Sequence, residues 1–230
     1  MTGRRFSADR PIRLSDADAV GRLRHDAIAR YLQDVAADDV LDAGWAPDEH
    51  IWVVRRTVLD VLQPFVTDTA VELTTWCGAV AGSAAARRTS VVGDLGGHVE
   101  AEMIWIHLGP DLQPQRLGER FLSIYGASAE GRRASTRLKL PGPTAAATTL
   151  PWALRSTDID QLGHVNNAAY WIAVEEHFEL GAPHRAILEY RRPLDLGNAV
   201  ELRQGREHVW FVVGNDVRAV AAVHHEPAVP

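Results

Sequence analysis

The chain repeats itself, and that repeat limits its possible folds more than its composition does. Asp16-Ala17-Asp18-Ala19-Val20-Gly21-Arg22-Leu23 returns as Asp158-Ile159-Asp160-Gln161-Leu162-Gly163-His164-Val165 at a constant offset of 142. Downstream, Leu59, Asp60, Pro64 and Ala70-Val71-Glu72-Leu73 return as Leu188, Glu189, Pro193 and Ala199-Val200-Glu201-Leu202 at an offset of 129, so the second copy is shorter by 13 residues between helix and strand. A match at one offset arises easily by chance. Two offsets in the same order, separated by a single deletion, argue for tandem units.

Each copy reads as a polar loop, a helix and then strands. In the first, Pro11-Ile12-Arg13-Leu14 predicts a short strand. Ile28, Tyr31, Leu32, Val35, Val40 and Leu41 recur near helical spacing, predicting a helix over about 25–43 that Gly44 stops. Strands are expected at about 52–62, 70–80, 84–92 and 98–108, the last two joined through Gly93-Asp94-Leu95-Gly96-Gly97. Residues 126–148 hold Gly, Ala, Ser, Thr and Pro without periodicity and read as a linker between units 1–125 and 149–230. The second unit opens with a strand near Leu150. A helix is expected over about 166–180, and strands near 184–192, 198–206, 208–213 and 216–224. One helix followed by antiparallel strands, twice, is an α+β pattern rather than alternating βαβ.

The second polar loop crowds Asp158, Asp160, His164, Asn166 and Asn167 ahead of an apolar helix face made by Ala169, Tyr170, Ala173, Val174, His177 and Phe178. The first amides of such a helix lack partners, and with the positive end of the helix dipole they form a seat for a carbonyl oxygen that becomes negative during reaction. Asp160 stands on the approach to that seat. A carboxylate and an oxyanion-binding helix end are the minimum equipment for acyl transfer to water. Each residue also has a plainer reading. Asp160 alone reads as a turn or cap residue, His164 as a packed loop histidine, Asn166 and Asn167 as helix caps, and Tyr170 as core. Glu175 and Glu176 read either as solvated helix glutamates or as a second polar contact or replacement water activator.

Charge and composition narrow the classes. A net charge of −6 argues against a nucleic-acid binder, which needs a basic footprint. No apolar run reaches the length of a membrane span, and Met1-Thr2-Gly3-Arg4-Arg5-Phe6 lacks the apolar segment of a signal peptide, so a cytoplasmic protein is expected. The one cysteine, Cys77, rules out an intramolecular disulfide and a cysteine-based zinc cluster, and its apolar surroundings mark it as core. His224-His225 has no partner at ligand spacing, so no metal role is assigned. Basic pairs occur at Arg55-Arg56, Arg87-Arg88, Arg132-Arg133 and Arg191-Arg192, read either as solvated faces or as a dock for an acidic partner.

The segment from Asp158 to Tyr170 fits the D-x-D-x-x-G-H-V-N-N-x-x-Y signature of hotdog thioesterases, with Glu176 where that family carries an acid. Taken with the tandem units, the N-terminal helix region, Trp76 through Arg87-Arg88, Met103-Ile104-Trp105 and Leu188-Glu189-Tyr190-Arg191-Arg192, the chain resembles the acyl-ACP thioesterases. The resemblance implies a double hotdog, two units each with a long helix packed in a curved antiparallel sheet. It implies hydrolysis of fatty acyl-ACP thioesters without a cofactor, with Asp160, His164, Asn166 and Asn167 as catalytic residues and Tyr170 and Glu176 as substrate contacts. The partner it implies is an acyl carrier protein bearing a phosphopantetheine-linked acyl chain, docked on Arg191-Arg192 or Arg132-Arg133, with pairing of two such pseudo-dimers into a homodimer as an open option. The first unit is degenerate, since Arg22, Arg24 and His25 replace the histidine and the asparagine pair. Two departures stand out: Leu162 replaces an asparagine two residues after the aspartate of plant members, and Pro193 replaces their water-activating glutamate. An acyl-CoA thioesterase and a non-catalytic acyl-binding module are the alternatives.

Overall fold

The computed structural model describes residues 3–44 and 51–225; Met1 and Thr2, part of the N-terminal stretch read above, lie outside the described residues. Strands β1 (Arg5–Pro11), β2 (Ile51–Gln63), β3 (Ala70–Ala81), β4 (Ala84–Gly93), β5 (His98–Leu108), β6 (Thr148–Trp152), β7 (His184–Tyr190), β8 (Val200–Gln204), β9 (His208–Val213) and β10 (Asp216–His224) form one antiparallel sheet. Helices α1 (His25–Asp42), α2 (Glu119–Tyr125) and α3 (Ala169–His177) complete the α+β architecture. The strand order is β1-β3-β4-β5-β2-β7-β10-β9-β8-β6. Outward from the centre, β2, β5, β4, β3 and β1 on one side match β7, β10, β9, β8 and β6 on the other. At the centre Val58 faces Ile187, two residues separated by the same repeat offset of 129.

Both long helices bury their apolar stripe on one face of this sheet. Ile28, Leu32 and Val35 of α1 and Trp171 and Val174 of α3 share a single core cluster with Leu59, Leu73 and Leu188. Complete burial of each such side chain stabilises the fold by about 1.5–3 kcal/mol. Toward its C-terminal end α1 departs from the expected stripe, because Leu41 is exposed and the inward position belongs to Asp39. Asp39 is tolerated there because Arg4 and Arg87 each donate to its carboxylate at 2.7 Å.

Local hydrogen bonds account for the other departures. The strand expected at 11–14 is instead β1, paired with β3 through Phe6 and Thr75, while Leu14–Asp16 forms a tight turn. The Asp16 carboxylate pulls the chain into that turn by accepting the Arg13 amide at 3.0 Å. The helix expected over 166–180 spans only Ala169–His177, because the Asn166 side chain takes the Ala168 amide at 2.8 Å and delays its start. Helix α2 was not among the sequence expectations.

The stretch read as a linker lies along the outer face of the sheet. Arg132 accepts the Val80 amide at 3.1 Å, the Lys139 and Leu140 amides donate to Glu189 at 2.7 and 3.0 Å, and Pro141 accepts the Trp210 indole at 2.8 Å. Trp210, Val212 and Val220 are the reason: they are apolar and point outward, and Leu140 and Ala147 cover them. No helix of the described residues is long and apolar enough to cross a membrane.

Candidate active site

The two polar loops fold alike, and their differences identify the candidate site. In the second loop the Asp160 Oδ1 accepts the amides of Leu162 (2.9 Å) and His164 (3.3 Å), while the Asp160 amide donates to the His164 carbonyl at 2.8 Å. In the first, the Asp18 Oδ1 accepts the amides of Val20 (2.9 Å) and Arg22 (2.8 Å), and the Asp18 amide donates to the Arg22 carbonyl at 2.8 Å. Gly163 and Gly21 turn the two loops with φ of 79° and 83°, a conformation that favours glycine. The loops differ at the second carboxylate oxygen. The Asp18 Oδ2 is held by the Arg22 guanidinium at 2.8 Å, whereas the Asp160 Oδ2 has no hydrogen-bond partner among the described residues. Burial works against ionisation of Asp18, but the Arg22 and Val20 amides and the Arg22 guanidinium outweigh it and hold its carboxyl below the usual range. A carboxylate so held is a poor proton acceptor.

Beside Asp160, the His164 Nδ1 lies 2.7 Å from the Asp195 Oδ1, and the backbones of the two residues bridge. An Nδ1–H donated to this carboxylate leaves the Nε2 as an acceptor without a hydrogen-bond partner among the described residues. Asp195 is itself held by the Asn198 side chain, which accepts its amide at 3.0 Å. Asp195 lies two residues beyond Pro193 and was not among the expected residues. The proline marked where the resemblance placed an acid, and that was the one signal pointing to this turn.

At the start of α3 the Asn166 side chain is committed to the Ala168 amide and to Gln33 of α1, with N···O distances of 3.2 and 3.3 Å in both directions of the amide pair. The Asn167 carbonyl accepts from the Tyr190 hydroxyl at 3.1 Å, which fixes this peptide. The Asn167 amide has no acceptor among the described residues. Its counterpart one repeat earlier, the His25 amide, donates to the Glu175 carboxylate at 2.8 Å.

Several candidates lie apart from this centre. Glu175 turns to the start of α1, where its carboxylate accepts the His25 amide and contacts the His25 Nδ1, both at 2.8 Å. Glu176, read as a substrate contact, is exposed on the side of α3 opposite Tyr170 and Val174, because those residues and Trp171 fix the helix rotation in the core. Tyr170 is 2% exposed, edge-on to Tyr190 and Phe211, and burial raises its phenol above the usual range. Arg132 is tied to the Gly78 and Ser128 carbonyls and to Glu130, and Arg191 to the Leu140 carbonyl. Arg192 is exposed and pairs with Asp216 at 3.0 Å, and Arg133 is exposed.

A cavity of about 270 Å³ lies between α1, α2 and the sheet, lined chiefly by apolar groups including Val40, Trp52, Cys77, Trp105 and Phe121. Gln33 lines one part of it and also meets Asn166, so this residue connects the cavity to the start of α3. Burial raises the Cys77 thiol, which suits a wall rather than a nucleophile. Among the described residues, no group of three or more histidine, cysteine or acidic side chains is placed to hold a metal.

Residues 3–125 match the acyl-ACP thioesterase N-terminal domain and residues 142–221 the C-terminal domain. The chain belongs to the acyl-ACP thioesterase family, and membership supports thioester hydrolysis. It is 38% identical over 216 residues to an uncharacterized protein of Mycobacterium tuberculosis, covering 90% of this chain and 86% of that one. Its fold is similar to that of an acyl-ACP thioesterase from Bacteroides thetaiotaomicron (TM-score 0.76, 19% identity, 96% and 98% of the two chains). It is similar also to the 12:0-ACP thioesterase from Umbellularia californica (TM-score 0.77, 18% identity, 99% of each chain).

Proposed function

We propose that this protein hydrolyses fatty acyl thioesters carried on the phosphopantetheine arm of an acyl carrier protein, releasing a free fatty acid and the holo carrier. The observation that carries this reading is the free second oxygen of Asp160, in the same loop that carries the His164–Asp195 pair and leads to the open Asn167 amide. The acyl carbonyl accepts a hydrogen bond from the Asn167 amide, and the His164 Nε2 accepts one from an amide N–H of the phosphopantetheine arm next to the thioester, with Asp195 as the positioning partner of the ring. Asp160 takes a proton from water as the water oxygen bonds to the carbonyl carbon; the C–S bond then breaks and the leaving thiolate takes that proton back from Asp160, which returns to its carboxylate form. Direct attack by Asp160 through a transient anhydride uses the same groups.

In this reading residues 1–125 and 149–230 are tandem hotdog units, 126–148 joins them, and only the second unit is catalytic. The cavity in the first unit holds the acyl chain, where each buried methylene contributes about 0.8 kcal/mol. The carrier docks on exposed arginines, of which Arg192 and Arg133 are better placed than Arg132 and Arg191, whose guanidinium groups already bind backbone carbonyls. A coenzyme A thioester presents the same arm and the same chemistry. The deciding experiment measures kcat/KM for one acyl chain on both carriers: a clear preference for the carrier protein is expected, and a clear preference for coenzyme A would contradict the proposed partner.

A further inference from the structure

The repeat relates Gln33 of α1 to Glu175 of α3, since these residues are separated by the same 142 positions as the two polar loops. The helices carry the two side chains to opposite units. Glu175 reaches the start of α1, where one carboxylate oxygen accepts the His25 amide and also contacts the His25 Nδ1, both at 2.8 Å. Gln33 reaches the start of α3, where it pairs with the Asn166 side chain. The Asn167 amide, which corresponds to that of His25, is left without an acceptor among the described residues.

We propose that the residue at this one helix position decides which unit has an open oxyanion seat: Glu175 closes the seat of the first unit with its own carboxylate, and neutral Gln33 leaves that of the second unit open. A carboxylate in the seat occupies the donor that a carbonyl oxygen would need, and its charge repels the negative charge that develops on that oxygen. The Gln33 carboxamide is uncharged and its oxygen already accepts from the Asn166 side chain, so it does neither. Gln33 also lines the cavity, so it sits where the proposed acyl chain meets the start of α3. The closed seat is further anchored in the interior. The His25 Nε2 lies 2.8 Å from the His184 Nε2, and the His184 Nδ1 is 2.7 Å from the Ala182 carbonyl. Degeneracy of the first unit therefore has two sources, the Asp18 carboxylate held by Arg22 and a helix end blocked from across the molecule.

This inference rests on the thioesterase reading for its kinetic consequence, but the closure itself is observable without turnover. Gln33→Glu and Gln33→Met are compared in the full-length protein. In amide NMR, Gln33→Glu is expected to move the Asn167 amide proton downfield in a pH-dependent manner, as a carboxylate bond requires, and Gln33→Met is not. Glu175→Gln is expected to move the His25 amide proton the opposite way. With an acyl thioester substrate, Gln33→Glu is expected to lower kcat by roughly 10²–10³, the scale for losing one oxyanion donor, with little change in KM. Gln33→Met should lower it only a few-fold. An Asn167 amide shift that is the same in both Gln33 variants would overturn the proposal whatever the activity. Equal kcat in the two variants, in a protein whose wild type releases thiol, would overturn it without touching the thioesterase reading. Absence of thiol release by wild type, with the amide shifts as expected, would instead count against that reading alone.

Discussion

A carboxylate serves as a base only where a lone pair is free, and this distinguishes Asp160 from Asp18 in loops that otherwise share their hydrogen bonds. The same criterion assigns Asp195 a supporting part. Its Oδ1 is engaged with the His164 Nδ1, so in the proposed mechanism it fixes the ring and leaves the opposite nitrogen for the substrate arm. Asp195→Asn keeps the shape and removes the charge. It is expected to lower kcat by roughly 10–100-fold, the usual cost of losing the partner that orients a functional histidine, and to change the pH dependence of kcat. A variant with unchanged kcat and an unchanged pH profile would show that the pair is structural only.

At the scale of elements, the loops were legible in the sequence because their bonds are local. Asp18 and Asp160 bind amides two and four residues ahead, so the motif carries its own geometry and repeats wherever the motif does. Contacts that close over long separations were not legible. Asp195 meets His164 from 31 residues away, and Glu175 meets His25 from 150. Helix periodicity gave α1 and its position but not its ion-paired Asp39, and it could not find α2, whose seven residues make only two turns. The stretch from 126 to 148 reads as a spacer in composition, yet Glu189 and Trp210 hold it against the sheet. Because Asp18 accepts three hydrogen bonds, Asp18→Ala should lower stability by about 1–3 kcal/mol, which chemical denaturation followed by circular dichroism would register. No loss would mean that the loop holds its shape without the carboxylate.

At the scale of the whole molecule, the two halves are joined by the β2–β7 pairing and by the hydrogen-bonded chain that runs from half-buried Glu175 through His25 to buried His184. Burial, and then the neighbouring His25, push the His184 imidazole down to about 4. The unfolded chain therefore binds a proton on this residue, near pH 6.5, before the folded protein does. Stability from this group is complete above about pH 6.5 and is lost as pH falls from there toward about 4, with a total effect on the order of 3 kcal/mol. His184→Gln should flatten that part of the stability profile, and an unchanged acid slope would mean that other groups set it. The claim on which the account turns is that one chain holds one working site, centred on Asp160. It is tested most directly by thiol release from a single acyl-carrier substrate by wild type, Asp18→Asn and Asp160→Asn, each shown to be folded. Near wild-type kcat is expected for Asp18→Asn and a loss of roughly 10²–10⁴ for Asp160→Asn. Near wild-type turnover by Asp160→Asn, or equal loss in both variants, would contradict it.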